Sequence, residues 1–214
     1  MNQRQIFELI QEQVKFFRFP AVDVVAQDRD PYRILISCIL SLRTTDDVTI
    51  SSSRRLFAAA GTARAMVKLP LPRLRSLIYP AGFYRTKAKE ILNISRRILK
   101  EFSGKVPDDL DALLLFKGVG RKTANLVLGL GYGVPAVCVD THVHRISNRL
   151  GWVKTAKPFD TERALEKIFP RAWWIRINGV MVSFGQNICR PLSPWCGKCA
   201  AKKYCPGIGV KKAR

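Results

Sequence analysis

What this 214-residue chain has least of is negative charge. Asp and Glu number 16 against 37 Lys and Arg, which leaves a formal charge of +21 and a pI near 10.3. So one-sided an excess repels itself and is matched by a polyanionic partner, nucleic acid before any other. Aromatic residues are also sparse, at 9%, yet the apolar fraction of 47% argues against disorder and for a folded protein of one large or two small domains. No apolar run reaches the roughly 18 residues of a membrane span. The N-terminal "MNQRQIFELIQEQVKFF" mixes Gln, Glu and Lys into its apolar residues and so lacks a signal-peptide core. A cytoplasmic protein is expected, nucleoid-associated in a bacterium or archaeon. Alternating apolar patterns, internal repeats and low-complexity linkers are missing too, which leaves an all-α chain.

The helices are legible one by one. The N-terminal stretch is amphipathic, with Ile6, Leu9, Ile10, Val14 and Phe17 on one stripe. "DPYRILISCILSL" has Asp30 as N-cap and Pro31 at the first helical position, and it is apolar almost all round, as a central buried helix is. "DDVTISSSRRLFAAAG" should end with Gly61 at C′, and "TKAKEILNISRRILKEFSG" sets Ile91, Ile94 and Ile98 on one face before Gly104. "DTHVHRISNRLG" turns Val143, Ile146 and Leu150 inward between Asp140 and Gly151. "DTERALEKIF" and "WWIRINGVMVSFGQNIC" complete the set.

Six cysteines fall into two groups. Cys38 and Cys138 stand alone in apolar surroundings and read as small buried hydrophobes. The other four are compressed as Cys189-x6-Cys196-x2-Cys199-x5-Cys205. In an intracellular setting a metal site is the better reading than two disulfides. Zinc usually takes two close pairs, and one C-x-x-C is present; four thiolates also suit an iron–sulfur cluster, so spacing alone leaves the two equal. From Gln186 onward there are seven cations and no carboxylate. Some balance the thiolates, and Lys198, Lys202 and Lys203 are free to meet phosphates.

The segment "FKGVGRKTAN" interrupts two helical stretches with Gly118-Val119-Gly120 and opens the second with Arg121 and Lys122. Cations are disfavoured there, since a helix N-terminus carries about half a positive charge. A glycine turn followed by a helix start aims N–H groups outward and makes an anion site, and Lys117, Arg121 and Lys122 flank it. Such a hairpin grips a DNA backbone without reading its sequence. Downstream, Asp140 is the only carboxylate between Asp111 and Asp160, amid seven cations. It can serve simply as an N-cap, but Lys122 and Asp140 together offer chemistry. A lysine that attacks a sugar carbon must be neutral, a state favoured by desolvation, neighbouring cations and a helix N-terminus. The Schiff base then needs a carboxylate to stabilise positive charge and move protons.

In these motifs the chain resembles the endonuclease III family of base-excision DNA glycosylases over roughly residues 30 to 205. "FKGVGRKTANLVL" is similar to the family's helix-hairpin-helix with its catalytic lysine, here Lys122. "VPAVCVDTHVHRISNRLG" is similar to its loop and catalytic aspartate, here Asp140. Cys189, Cys196, Cys199 and Cys205 match the spacing of its [4Fe–4S] cluster. The resemblance implies two helical lobes, a barrel with the hairpin over 22–131 and a discontinuous cluster lobe of 1–21 and 132–214. It implies a monomer bound to double-stranded DNA that carries a damaged base or abasic site, with the target nucleotide flipped out. It also implies excision of an oxidised pyrimidine followed by β-elimination.

Some positions depart from the family. Lys117 replaces a usual Pro, Gln186 replaces an Arg of some members, Arg43 stands where many have a Gln that fills the hole left by the flipped base, and Phe83 stands at an apolar wedge position, often Leu. Phe83 is expected as the wedge and Arg43 as a DNA contact rather than half of a buried ion pair. These changes bear on which base is preferred, so a mismatch glycosylase for thymine or uracil opposite guanine stays open, as does a non-catalytic DNA-binding module.

Overall fold

A backbone this rich in caps and apolar 3.6-residue stripes folds wholly into helices and turns: the computed structural model describes residues 1–214 and contains no strand. Contacts divide it into two units, Ala21–Val134 and the discontinuous pair Met1–Pro20 with Pro135–Arg214. No helix is long and apolar enough to cross a membrane.

The N-terminal residues give one helix, α1 (Gln3–Val14), started by a capping box between Asn2 and Gln5. Its buried residues are Ile6, Phe7 and Ile10, so the expected stripe is rotated: Leu9 and Val14 are half-buried, and Phe17 lies beyond the helix end. Phe7 takes the inner position because its ring packs on Phe169 at 5.3 Å and Trp173 at 5.7 Å, burying more apolar area than a leucine does.

Residues 21–134 supply α2 (Ala21–Val25), α3 (Pro31–Ser41), α4 (Asp46–Ala59), α5 (Ala63–Met66), α6 (Leu71–Ile78), α7 (Tyr84–Glu101), α8 (Leu110–Leu114) and α9 (Arg121–Leu126). As its sequence requires, α3 is central. The Asp30 carboxylate accepts from the Tyr32 and Arg33 amides, eight of its residues are buried, and α2, α4, α7 and α9 pack around it. The helix expected after Lys122 is α-helical only to Leu126; Val127–Gly131 widens into a π turn. Gly61 follows α4 as expected, but without a left-handed φ. What it provides is room, since a Cβ there would sit 3.1 Å from the Arg33 guanidinium. Gly104 does use left-handed backbone, at φ +83°, and its N–H closes the end of α7 on Ile98 O at 2.9 Å. The short helices α2, α5 and α6 carry too little periodicity to be read from sequence.

Residues 135–214 add α10 (Thr141–Arg149), α11 (Pro158–Ile168) and α12 (Trp174–Asn187), then a cysteine-bearing loop with single 3₁₀ turns at Cys196–Lys198 and Lys202–Tyr204. Val143, Ile146 and Leu150 face a core shared with α1, α11 and α12. Gln13 of α1 pins the loop by accepting from Ala200 N at 3.0 Å and donating to Lys198 O at 2.6 Å.

Candidate active site

The α8–α9 connection is built on a fixed base. Phe116 is buried, Arg97 lies 5.2 Å over its ring, and the same guanidinium donates to Leu115 O at 2.5 Å. From there the chain turns through Gly118 at φ +86°, a conformation that favours glycine. Val119 plugs the turn: its side chain is buried and its N–H donates to Phe116 O at 3.0 Å. This corrects the expectation that Val119 contributes a DNA contact through its amide or side chain, because both are committed to the protein. Gly120 has ordinary extended backbone, φ −99°, and a Cβ there would meet nothing within 4 Å. Neither conformation nor internal packing demands glycine at 120, so the open space over it lies on the outer side of the hairpin. Lys117, Gly118, Gly120 and Lys122 are all exposed, Arg121 is half-buried, and no side chain caps α9.

Cys38 is buried in α3, which packs against α9, within reach of the Lys122 charge. Burial pushes its thiol up to about 12; the Lys122 charge opposes the shift, and the Asp23 charge adds to it. The Asp23 carboxyl is itself pushed up to about 6 by burial, with a hydrogen bond to its own backbone opposing and Asp46 adding. Sequence reasoning missed Asp23, whose only signal was an acid amid the apolar run "AVDVV".

Asp140 belongs to the other unit and starts α10. One carboxylate oxygen accepts from His142 N at 2.8 Å and Val143 N at 2.9 Å. The loop before it is held by the buried Asn178 of α12, which donates to Cys138 O at 3.2 Å. Gly185 lets α12 approach closely, since a Cβ there would lie 2.3 Å from the His142 ring. Neither Asn178 nor Gly185 carries a sequence signal, because both act across tertiary contacts.

Arg43 and Phe83, forty residues apart in sequence, meet. The guanidinium carbon sits 5.5 Å from the ring centroid, and both residues are left-handed, at φ +51° and +57°. Both are exposed, Phe83 at 62%, so Arg43 is no buried ion pair.

The four C-terminal cysteines line one cavity of about 260 Å³, with Lys202 and Arg149 on its wall. Their sulfurs are not drawn to metal-ligating range, since no three His, Cys, Asp or Glu side chains converge that closely. Burial pushes the Cys199 thiol up to about 11, and the other three cysteines push in the same direction. Four cysteine sulfurs around one hollow are the donor set of a group bound through thiolates. The hollow is several times the ~30 Å³ share of one water, roomier than a single tetrahedral ion needs. Lys198 stacks on Trp195 at 5.0 Å, and both Lys198 and Lys202 are exposed.

With this geometry the chain matches known proteins closely. Residues 36–171 match the model of the HhH-GPD superfamily base excision DNA repair protein. Endonuclease III of Thermotoga maritima is 49% identical over 94% of this chain and 92% of its own length. The chain spans 48–63% of the longer plant and animal homologues that it matches. Among solved structures, a non-covalent endonuclease III–DNA complex superposes with TM-score 0.85 at 33% identity, covering 95% of this chain and 94% of that one. A trapped endonuclease III–DNA covalent intermediate gives 0.81 at 33% identity, covering 97% of each. The chain belongs to the endonuclease III family, within the HhH-GPD superfamily of base excision DNA repair proteins.

Proposed function

We propose that this chain removes an oxidised pyrimidine from duplex DNA with Lys122 as the attacking amine and Asp140 as the carboxylate that handles charge and protons. Its enzyme class, a base-excision DNA glycosylase with abasic-site lyase activity, follows from its family. The observation that carries the assignment is the placement of Lys122: an exposed amine in the first turn of an uncapped helix, behind a glycine turn with open space over Gly120. A DNA backbone drawn against Gly118, Gly120 and the cations Lys117 and Arg121 brings a sugar to that amine. The neutral amine forms a bond to C1′ while the glycosidic C–N bond breaks, and the base leaves with the electron pair and takes up a proton. The nitrogen gives up a proton and its lone pair opens the sugar ring, so that C1′–O4′ breaks as the C=N bond of the Schiff base forms and O4′ takes up a proton. Loss of a C2′ proton from that Schiff base then breaks the C3′–O bond and expels the 3′ phosphate. Asp140 stabilises the cationic sugar and relays these protons. Its cap keeps one oxygen on two backbone amides, which fixes the carboxylate's orientation. Arg43 and Phe83 are read as further DNA contacts, with Lys198 and Lys202 on phosphates.

Cys189, Cys196, Cys199 and Cys205 would hold a [4Fe–4S] cluster, a reading supported by the size and thiol lining of their shared cavity. Such a cluster, ligated by thiolates alone, would supply structure and charge to the basic loop rather than an open coordination position. Purified protein should be brown, with iron and sulfide in equal amounts; stoichiometric zinc after gentle purification would refute the assignment.

Borohydride trapping tests the main reading. Wild-type protein on a duplex bearing an oxidised pyrimidine should give a covalent adduct, and Lys122→Gln should give none while still binding. Undiminished adduct in that variant would assign the attack to another amine. A G/T mismatch cleaved in preference to the oxidised pyrimidine would move the substrate to the mismatch class, and absence of any nicking of an abasic duplex would leave only a binding module.

A further inference from the structure

We propose that Lys87 is a positioning residue: its buried ammonium locks Arg43 and Phe83 into the paired conformation in which they meet DNA. This rests on the reading above that the pair faces DNA. Lys87 is 4% exposed, in the first turn of α7. Its amine donates to Leu40 O at 2.7 Å, Leu42 O at 2.6 Å and Thr44 Oγ1 at 2.9 Å, which uses all three of its protons. Leu40 and Leu42 carry carbonyls at the end of α3, where the helix leaves its last acceptors unpaired and its dipole is negative. A cation there offsets both deficits and binds the end of one helix to the start of another.

Arg43 lies between two residues that Lys87 holds, Leu42 and Thr44. Thr44 in turn accepts from Gly82 N at 3.0 Å, and Gly82 packs so tightly that a Cβ would sit 2.3 Å from Arg43 O. Phe83 is the next residue. The chain is thus fixed on both sides of Arg43 and immediately before Phe83, two of the five positions where a non-glycine residue is left-handed. Such conformations persist only where their surroundings over-determine them. Filling the core is a poor reason for a lysine here, because Lys87 continues the Ile91, Ile94, Ile98 stripe and an apolar side chain would extend it. Burial also pushes the amine down to about 8, with the Glu90 charge opposing.

The pair so held presents a ring and a guanidinium plane, already ordered, to a partner. Flat apolar and cationic faces of this kind stack on bases or enter a base step, and pre-ordering spares the entropy of arranging them on contact. Lys87 never touches DNA, yet it sets whether the pair can act.

The test uses full-length protein and a duplex with a stable tetrahydrofuran abasic analogue opposite 2-aminopurine, whose fluorescence rises on unstacking. At saturating wild-type protein the fluorescence should rise, and Phe83→Ala should remove the rise. Lys87→Met should cut the fraction of complexes in the unstacked state about tenfold, the scale of one lost charge-assisted hydrogen bond. Its affinity and salt slope on undamaged duplex should stay unchanged, which a merely unfolded variant could not show. Thr44→Val, which removes the hydroxyl that Lys87 and Gly82 N share and keeps the side chain's volume, should give a smaller loss and tests the same lock if Lys87→Met does not fold. An undiminished rise in whichever of the two is folded would overturn the role of Lys87 while leaving the proposed function intact. A wild-type rise that survives Phe83→Ala, or no rise in the wild type, would overturn the DNA-facing reading of the pair and this inference with it.

Discussion

Two corners of the Ala21–Val134 unit place a lysine in the first turn of a helix, where a cation is disfavoured, and they resolve the conflict in opposite ways. At the start of α7, Lys87 is buried and surrounded by three oxygen acceptors. At the start of α9, Lys122 is exposed beside a glycine turn. One lysine joins two helix ends, and the other is presented to whatever arrives. A cation in an unfavourable place therefore says that something is required there, and its exposure says whether the requirement is internal or external.

The comparison breaks most visibly at Lys122. Lys122→Gln should lower strand cleavage by roughly 10³-fold or more, since the amine is the reacting group. Being exposed, it should shift the melting temperature little. Measured together, cleavage and melting separate the two kinds of lysine: a large fall in melting temperature for Lys122→Gln would make it a structural cation like Lys87.

Asp140→Asn sharpens the same division between chemistry and structure. Asn caps helices about as well as Asp, so α10 and its two amide bonds survive and stability should change by only a few tenths of a kcal/mol. Excision should fall about 10²-fold or more, the range of a lost general acid–base, with cleavage at a pre-formed abasic site less affected. Wild-type excision by the Asn variant would reduce Asp140 to a cap.

Lys87 should show itself in stability against pH. Burial lowers its amine from an ordinary 10.5 to about 8 in the fold. Between those values the unfolded chain binds more protons than the native one, so the contribution of this group to stability rises with pH. Its desolvation penalty is fully present below about pH 8 and relieved by about 10.5, at up to about 1.4 kcal/mol per pH unit. Lys87→Met takes the ammonium from the Leu40 carbonyl, leaves Leu42 O with only the Thr44 hydroxyl at 3.3 Å, and should be less stable at neutral pH by about 1–3 kcal/mol. The gap between wild type and variant should widen from pH 8 to 10 in denaturant titrations, and a gap independent of pH would place the ordinary lysine pKa in the fold.

How far the sequence reached depends on the range of the forces involved. Local signals were legible: the Asp30 cap with Pro31, the Ile91-Ile94-Ile98 stripe and the Asp140 start of α10 all form as their residues dictate. The glycine turn and its flanking cations could be read as well, because turn chemistry is local. What escaped was tertiary. Nothing near Arg43 announces Phe83, and nothing in "AVDVV" announces that Asp23 would share the surroundings of Cys38 with Lys122. Val119 looked like part of a backbone grip and proved to be its plug. Lys87 did leave a trace, a cation four residues before Ile91 on a buried stripe, which only the facing carbonyls of α3 explain.

The smallest effects separate the two hairpin glycines. Gly118 stands at φ +86°, where any side chain is strained, although a Cβ would make only ordinary contact with the Glu90 carboxylate at 3.4 Å. Gly118→Ala should therefore destabilise the protein by about 1 kcal/mol and loosen DNA binding through the damaged turn. Gly120 lacks that constraint: its φ is −99° and its Cβ space is open. Gly120→Ala should leave the free protein as stable as before, or slightly more so because its unfolded chain is less flexible. If a phosphate lies against that position, the added methyl should still weaken binding to damaged and undamaged duplexes alike, with the salt slope reduced by up to about 0.9 for one lost phosphate contact. Melting curves and salt-dependent binding isotherms on the pair of variants decide between the roles. A Gly120→Ala protein that binds DNA as tightly as wild type would show that the backbone passes elsewhere and that the glycine serves no grip.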